Sequence, residues 1–287
     1  MAGQTTMGFL GPQGTYSDEA AHFFASHLGI EDVELEEFPS FNTIYEAVER
    51  GRCEYGVMAF ENSLEGPVTA TLDAFAFRNG VSIVGAVVLD IHHCIITTPG
   101  ADLDDVEIIA SHPQALGQCR RYLNEHFPKA ERVTTLSTAD AVRMASENPH
   151  VAAISNRFAA ELYGCEVRTE QIEDHFGNQT QFVLIARQGH APVLLNPQAP
   201  ITSLVLQMRE DKPGALLMIL SEFAYAGINM VRIQSRPTKQ NLGSYLFFCD
   251  IQGDQDDAVV KTALDCLRLK LQEVKVLGTY SVEEKNA

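Results

Sequence analysis

Four segments of the 287-residue chain gather hydroxyls, amides and carboxylates where an apolar run gives way to a helical pattern. They are Gly11-Pro12-Gln13-Gly14-Thr15-Tyr16-Ser17, Glu61-Asn62-Ser63-Leu64-Glu65-Gly66, Ser111-His112-Pro113-Gln114 and Ser137-Thr138-Ala139-Asp140. In open α/β sheets, ligands bind beyond the carboxyl ends of the strands, where helix N-termini point at an anion. The four segments therefore predict one cleft fed by several loops. Taken singly, each has a plainer reading: Ser17, Ser111 and Thr138 as N-caps, Gly11 and Gly14 as turn glycines, His112 as a hydrogen-bonded structural histidine. It is their combination that points to a site.

Other chemistries fit the residues less well. Glu61, Glu65 and His112 lack a third close ligand and a His-Glu-x-x-His spacing, so no metal centre is expected. His92 and His93 fall on opposite faces of a strand by the two-residue period, which disfavours a shared ligand role. No Gly-x-Ser-x-Gly elbow marks a serine hydrolase. The loop around Gly11 and Gly14 has neither a dinucleotide nor a Walker pattern. The acidic run 31–37 alternates its carboxylates without a cage and reads as a solvated strand edge.

The elements that would position these loops need a substantial core. Apolar residues make up 45% of the chain and aromatics 8%, which suffices for stable globular domains, and the length implies more than one. A formal net charge of −17 opposes nucleic-acid binding, which needs clustered lysine and arginine. An anionic substrate remains compatible, held by helix N-termini and single arginines. The longest apolar stretches, such as 81–89, fall short of the roughly 20 residues that span a bilayer. The start of the chain, 1–6, is short and polar and does not read as a leader, so an unexported protein without a membrane partner is expected. Six scattered cysteines (Cys53, Cys94, Cys119, Cys165, Cys249, Cys266) read as core thiols in a reducing compartment.

The first two-thirds of the chain alternates strand and helix patterns, the mark of α/β units. Strands are expected at 7–10, 33–38, 55–60, 108–111, 132–136 and 151–154, and helices at 17–28, 41–50, 113–125, 139–146 and 156–163. Residues 81–89 and 92–97 predict paired strands or one long bent strand. A strand at 182–186 precedes a proline-containing linker, 188–200. Beyond it, strand 202–208, helix 214–226, strands 229–234 and 244–251, helix 256–267 and strand 274–279 give a βαββαβ, ferredoxin-like unit.

The Gly11–Ser17 segment, residues 55–68 with their Glu61-Asn62-Ser63-x-Glu65-Gly66 core, Ser111-His112-Pro113-Gln114-Ala115-Leu116 and Asn178-x-Thr180 before Phe182 resemble in content and order the signatures of the prephenate dehydratases. Gly214-Ala215-Leu216-Leu217 and Gln234-Ser235-Arg236-Pro237 resemble the two effector-loop motifs of that family's regulatory ACT domain. The resemblance covers about residues 8–280. It implies an α/β fold whose catalytic domain, 6–187, has two lobes like a periplasmic binding protein, the second at about 83–163. A linker at 188–200 and an ACT domain at 201–282 would complete the chain. The implied activity is the decarboxylative dehydration of prephenate to phenylpyruvate in L-phenylalanine biosynthesis, without metal or cofactor. Feedback inhibition by L-phenylalanine, a homodimer or homotetramer and a cytoplasmic location are implied with it.

Loss of carbon dioxide and hydroxide makes the prephenate ring aromatic, so no electron sink is needed. The enzyme has to help hydroxide leave in a dry pocket without overbinding the departing carboxylate. The resemblance gives Thr180 the task of hydrogen-bonding the leaving oxygen; chemistry alone does not separate it from Ser111. Glu61, Asn62 and Ser63 would bound the pocket, Ser111 and Gln114 would position the substrate, and Thr15 with Ser17 would cap an anion-facing helix. His112 is a candidate proton partner, and Gln181 and Phe182 complete the implied substrate-binding set. Gln181 stands where the family usually has arginine, and glutamine lacks that charge and fork. It is a tolerated variant, is compensated by another cation such as Arg157, or marks a weakened site. The implied effector set is Gly214, Ala215, Leu216, Leu217, Ile228, Asn229, Gln234, Ser235 and Arg236, with Gln234 replacing a usual glutamate. Two further readings share the motifs, an arogenate dehydratase and a non-catalytic phenylalanine sensor.

Overall fold

The computed structural model describes residues 5–27, 33–192, 199–210, 212–239 and 244–285. The chain begins with β1 (Thr6–Leu10), α1 (Tyr16–His27), β2 (Glu34–Phe38), α2 (Phe41–Glu49), β3 (Tyr55–Asn62), the short β4 (Gly66–Pro67), α3 (Thr69–Phe77) and β5 (Val81–Asp90). There follow β6 (Cys94–Thr97), β7 (Ile108–Ser111), α4 (Pro113–Gln118), α5 (Arg120–His126), β8 (Glu131–Thr134), α6 (Thr138–Glu147), β9 (Val151–Ser155), α7 (Arg157–Leu162), β10 (Glu166–Thr169) and β11 (Gln179–Arg187). The last third is β12 (Ile201–Gln207), α8 (Ala215–Tyr225), β13 (Met230–Pro237), β14 (Tyr245–Gln252), α9 (Ala258–Lys270), β15 (Glu273–Tyr280) and β16 (Val282–Lys285). Among the described residues no helix is long and apolar enough to cross a membrane.

Three sheets result. The first has the order β16-β5-β11-β3-β1-β2, with β4 beside β3; the second is β10-β6-β9-β7-β8; the third is β13-β14-β12-β15. In the first sheet β1 runs parallel to β2 and β3, and Met7, Phe9, Val57, Met58 and Phe60 are fully buried. Such near-continuous apolar runs are what strands covered on both faces require. In the second sheet, alternate residues of one strand enter opposite cores. Ile96, Ala110 and Ala153 pack into one cluster, while Ile95, Ile109 and Ala152 pack into the other.

Several expectations need correction. Residues 81–89 and 92–97 neither pair nor form one bent strand, because β5 lies in the first sheet and β6 in the second. The second-lobe strands accordingly run from Cys94 to Thr169, starting later than residue 83. An apolar run states that a strand is buried, not which sheet buries it. The expected helix 113–125 is two helices, broken at Cys119, whose backbone (φ −110, ψ 16) leaves the helical region. Helix α3 was not expected because its sequence TATLDAFAF has no polar face to set a period. The short strands β10 and β16 were not expected either. Leu28 of the expected first helix and residues 193–198 of the expected linker lie outside the described residues.

The chain forms two compact units, Met1–Thr71 with Val88–Phe182 and Lys285–Ala287, and Leu72–Val87 with Val183–Glu284. The second unit is thus more than the ferredoxin-like repeat. Helices α8 and α9 cover one face of its sheet, burying Leu204, Leu206, Ile219, Phe223, Phe247 and Leu264. The other face carries an Arg232–Asp250 ion pair at 2.8 Å and a Ser203–Tyr280 hydroxyl contact at 2.7 Å. From the same unit, Arg236 and Lys239 reach Asp73 of α3 at 2.6 and 2.7 Å. Lys275 donates to the carbonyls of Phe75, at 2.6 Å, and Arg78, capping the C-terminal end of that helix. Burial pushes the Asp73 carboxyl up, but its bonds to Arg236 and Lys239 outweigh this and hold it below the ordinary carboxylate value.

Gly278 of β15 lies in the second unit at φ 153, where a Cβ would overlap the backbone carbonyl of Ile83. A Gly278→Ala chain is expected to lose about 1–3 kcal/mol through strain and overpacking. A lowered urea midpoint for unfolding would measure it.

Candidate active site

Within the first unit a cavity of about 160 Å³ collects residues from both lobes. The first lobe supplies Tyr16 of α1, Asn62 at the end of β3, and Asn178 and Thr180 around the start of β11. The second supplies His112, Gln114 and Gln118 of the α4 segment and Thr138 of α6. Ile91 and His93, from the crossover between β5 and β6, complete it with Ala115.

Asn62 organises the first-lobe side. Its Nδ2 donates to Asn178 Oδ1 (2.8 Å), Thr180 Oγ1 (2.9 Å) and the Gln179 carbonyl (3.1 Å). Its Oδ1 accepts from the backbone N–H groups of Leu64 (3.0 Å) and Glu65 (2.9 Å), an Asx turn that shapes the β3–β4 hairpin. Thr180 therefore receives a hydrogen bond on its oxygen while its own hydrogen is left to donate.

The N-terminal loop is fixed just as tightly. Asp18 accepts from the Gly14 N–H at 2.8 Å, and Thr15 caps α1 by accepting from Asp18 N–H at 3.3 Å. Gly14 sits at φ 86 with Tyr163, Ala139 and Ala159 of the second lobe 3.1–3.3 Å from where a Cβ would stand. Only glycine suits both the backbone angle and the close approach. Tyr16 then reaches across to donate to the His92 carbonyl at 2.5 Å, and its burial raises its pKa well above the ordinary value.

The crossover histidines are held by one buried carboxylate. Glu173 Oε1 lies 2.8 Å from His92 Nδ1, and Glu173 Oε2 accepts from the His93 backbone N–H at 2.9 Å. His93 Nε2 lies 2.8 Å from Gln118 Oε1. Burial lowers the pKa of His93, against raising contributions from the Gln118 bond and Glu173, so its imidazole is neutral near pH 7. His93 Nδ1 and Gln118 Nε2 are buried without a hydrogen-bond partner. Such groups cost about 1–3 kcal/mol each when left unpaired and call for an explanation.

Of the expected site residues, Asn62, His112, Gln114 and Thr180 line the cavity. Ser111 does not: it is fully buried and its hydroxyl donates to the Ile154 carbonyl at 2.6 Å, which makes it a structural residue of the second sheet. Ser63 exchanges hydrogen bonds with Gln179 and Gly177 outside the cavity, tying the hairpin to β11. Glu61 pairs with Pro67 across that hairpin. Thr15 is spent on its cap, Ser17 is buried beside it, and Phe182 lies in the core. Gln181 follows Thr180 on a strand, so its side chain takes the opposite face. Arg157 borders a neighbouring cavity and is paired with Glu170. The candidate set left out Tyr16, His93, Gln118, Thr138 and Asn178 as lining residues, although Tyr16, Thr138 and Asn178 lie in segments singled out in the sequence. The Gln114 to Gln118 spacing of one helical turn was a signal for the third; the strand assignment of 92–97 hid the second.

Among the described residues, no lysine, arginine or carboxylate lines the cavity. Cys94, which follows His93 in sequence, is buried and its thiol is pushed up to about 11, which makes it a poor nucleophile.

Comparison with known proteins identifies the arrangement. The prephenate dehydratase family pattern matches residues 7–190 and the ACT domain pattern matches residues 202–265. A prephenate dehydratase of Methanocaldococcus jannaschii is 36% identical over 273 residues, 94% of this chain and 96% of that protein. The chain belongs to the prephenate dehydratase family. The crystal structure of an Arthrobacter aurescens prephenate dehydratase bound to L-Phe superposes with a TM-score of 0.83 at 36% identity, covering 96% of this chain and 90% of that one. A quorum-quenching acylase, GqqA, superposes with a TM-score of 0.82 at 30% identity over 97% and 98% of the two chains.

The buried His93 links the stability of this chain to pH. The folded pKa of His93 is lowered, so below about pH 6.5 the unfolded chain takes up a proton that the folded chain refuses. Bound protons then favour the unfolded state, and stability falls as pH drops. The melting temperature is expected to decline more between pH 7 and 5 for the wild type than for His93→Gln.

Proposed function

We propose that the cavity around Thr180 converts prephenate to phenylpyruvate. The observation that carries this reading is the Asn62 amide on Thr180 Oγ1, which leaves the threonine O–H to point at a leaving group. The bond from the ring to the carboxylate breaks to release carbon dioxide. Its electron pair enters the ring, the carbon–oxygen bond opposite breaks, and the departing hydroxide takes the hydrogen bond from Thr180. Asn62 and Asn178 fix the donor, and Gln114, Gln118 and Thr138 supply further polar contacts. A cavity without a cation does not hold the departing carboxylate so firmly that decarboxylation slows. Catalytic and regulatory parts are assigned to 6–187 and 201–282, with 188–200 between them, and the buried free thiols support a reducing, cytoplasmic setting.

Arogenate carries an ammonium where prephenate has a keto group. No carboxylate lines the cavity to meet it, so the keto acid is the better substrate, and parallel turnover assays separate the two. The acylase likeness does not change the reading. The hydrogen bond that Thr180 receives comes from an amide donor, not from a base able to make the hydroxyl a nucleophile.

A phenylpyruvate-formation assay tests the site. Thr180→Val is expected to lose about 10²-fold or more in kcat, Thr180→Ser to retain part of the rate, and wild-type activity in Thr180→Val would refute the assignment. Because Gln181 takes the opposite face from Thr180, Gln181→Arg is expected to change the rate by less than about threefold.

The effector residues point to a second copy of the chain. Gly214 to Leu217 open α8 and Ile228 with Asn229 follow its other end, about 16 Å away along an 11-residue helix. One protomer does not bring them together. β13 is an edge strand with Val231 49% and Ile233 42% exposed, and Leu217 of α8 is 66% exposed. Antiparallel pairing of two such edges about a two-fold axis would set one protomer's Gly214–Leu217 segment beside the partner's 228–229, giving an L-phenylalanine site at a homodimer interface. Ile233→Asp is expected to yield a monomer by light scattering and to abolish inhibition by phenylalanine while basal turnover persists. A dimeric, fully inhibited variant would overturn the placement.

A further inference from the structure

Two buried nitrogens of the cavity, without a partner among the described residues, belong to residues that touch each other. His93 is 4% exposed, and its Nε2 lies 2.8 Å from Gln118 Oε1. An amide oxygen only accepts, so the imidazole carries its hydrogen on Nε2 and leaves Nδ1 as a lone pair. The Gln118 side chain, with its oxygen taken by His93, is left with an NH₂ group that has no acceptor among the described residues. Both residues line the cavity that holds Thr180.

The backbone of His93 is clamped independently of its ring. Glu173 accepts its N–H at 2.9 Å, and Ile172 N–H donates to its carbonyl at 3.0 Å. The carboxylate is thereby engaged by His92 and by the backbone, not by the His93 imidazole. Gln118 is likewise anchored by its backbone, whose carbonyl accepts from Asp174 N–H at 2.7 Å. Only the ring and the amide are left to set each other's orientation.

We propose that His93 is a positioning residue for substrate binding: its Nε2–H holds the Gln118 amide with the NH₂ group turned into the cavity, where it donates to a carboxylate of the substrate. The proposal rests on the reading of this cavity as the prephenate site. An amide turned the other way would present its oxygen to a dianion, and the two would repel. With no lysine or arginine among the lining residues, the sense of one amide weighs more than it would beside a cation.

A double-mutant cycle on prephenate kinetics tests it, using His93→Leu, Gln118→Leu and the double variant, with His93→Gln as the conservative replacement whose amide N–H can still donate to Gln118. Gln118→Leu is expected to raise KM by about tenfold or more, the loss of one hydrogen bond to a charged group, with a smaller change in kcat. His93→Leu should raise KM in the same direction, His93→Gln should recover most of it, and the double variant should be no worse than Gln118→Leu alone. Effects of the two single variants that multiply, or an unchanged KM in His93→Leu, would overturn the proposal. If His93→Leu does not fold, His93→Gln against His93→Asn carries the comparison, since asparagine is too short to reach Gln118. Thr180→Val in the same assay separates the two levels. Full turnover there refutes the cavity assignment, whereas an inactive Thr180→Val beside a normal His93→Leu refutes only the role of His93.

Discussion

The site depends on one side-chain amide. Asn62 spends its oxygen on the turn that follows β3 and its nitrogen on three acceptors of the segment entering β11. Two amide hydrogens shared among Asn178, Gln179 and Thr180 join elements 116 to 118 residues apart in the chain. Without that junction the hairpin and the strand would each keep its backbone ladder, but the hydroxyl of Thr180 would lose its fixed direction. Buried polar networks of this kind specify a geometry because an unpaired member is costly.

Around that junction the polar lining groups act as amides and hydroxyls or carry no formal charge near pH 7. The chain carries a formal charge of −17, yet the cavity is bordered by amides, hydroxyls and imidazoles. Arg157 is engaged with Glu170, and Arg236 of the second unit with Asp73. A dianion that must shed one carboxylate is better held by directed dipoles than by an ion pair that would stabilise the ground state as much as the transition state.

The second unit uses charge differently. Arg236, Lys239 and Lys275 fasten α3 by its Asp73 side chain and its last carbonyls. Arg236 belongs to a motif expected to meet an effector, and the structure finds it already bonded to a carboxylate. Burying such a pair costs desolvation, so its value is geometric more than energetic. The apolar edge of β13, by contrast, is left uncovered in the single chain.

Residue order alone determined that there is an α/β part followed by a βαββαβ unit, because the periods of apolar residues change at the linker. It also marked the loops whose residues line the cavity and, through motif resemblance, the family, with Thr180 as the proposed donor. What the sequence could not decide is where an apolar strand goes: 81–90 and 94–97 read alike, yet they lie in different sheets. Nor could it separate Ser111, whose hydroxyl is consumed by Ile154, from Thr180, whose hydroxyl remains available. The pairing of His93 with Gln118, 25 residues apart, and the turning of Gln181 away from Thr180 are equally products of packing. Local sequence sets which groups a residue can donate or accept; only the assembled fold decides which of those capacities are already spent.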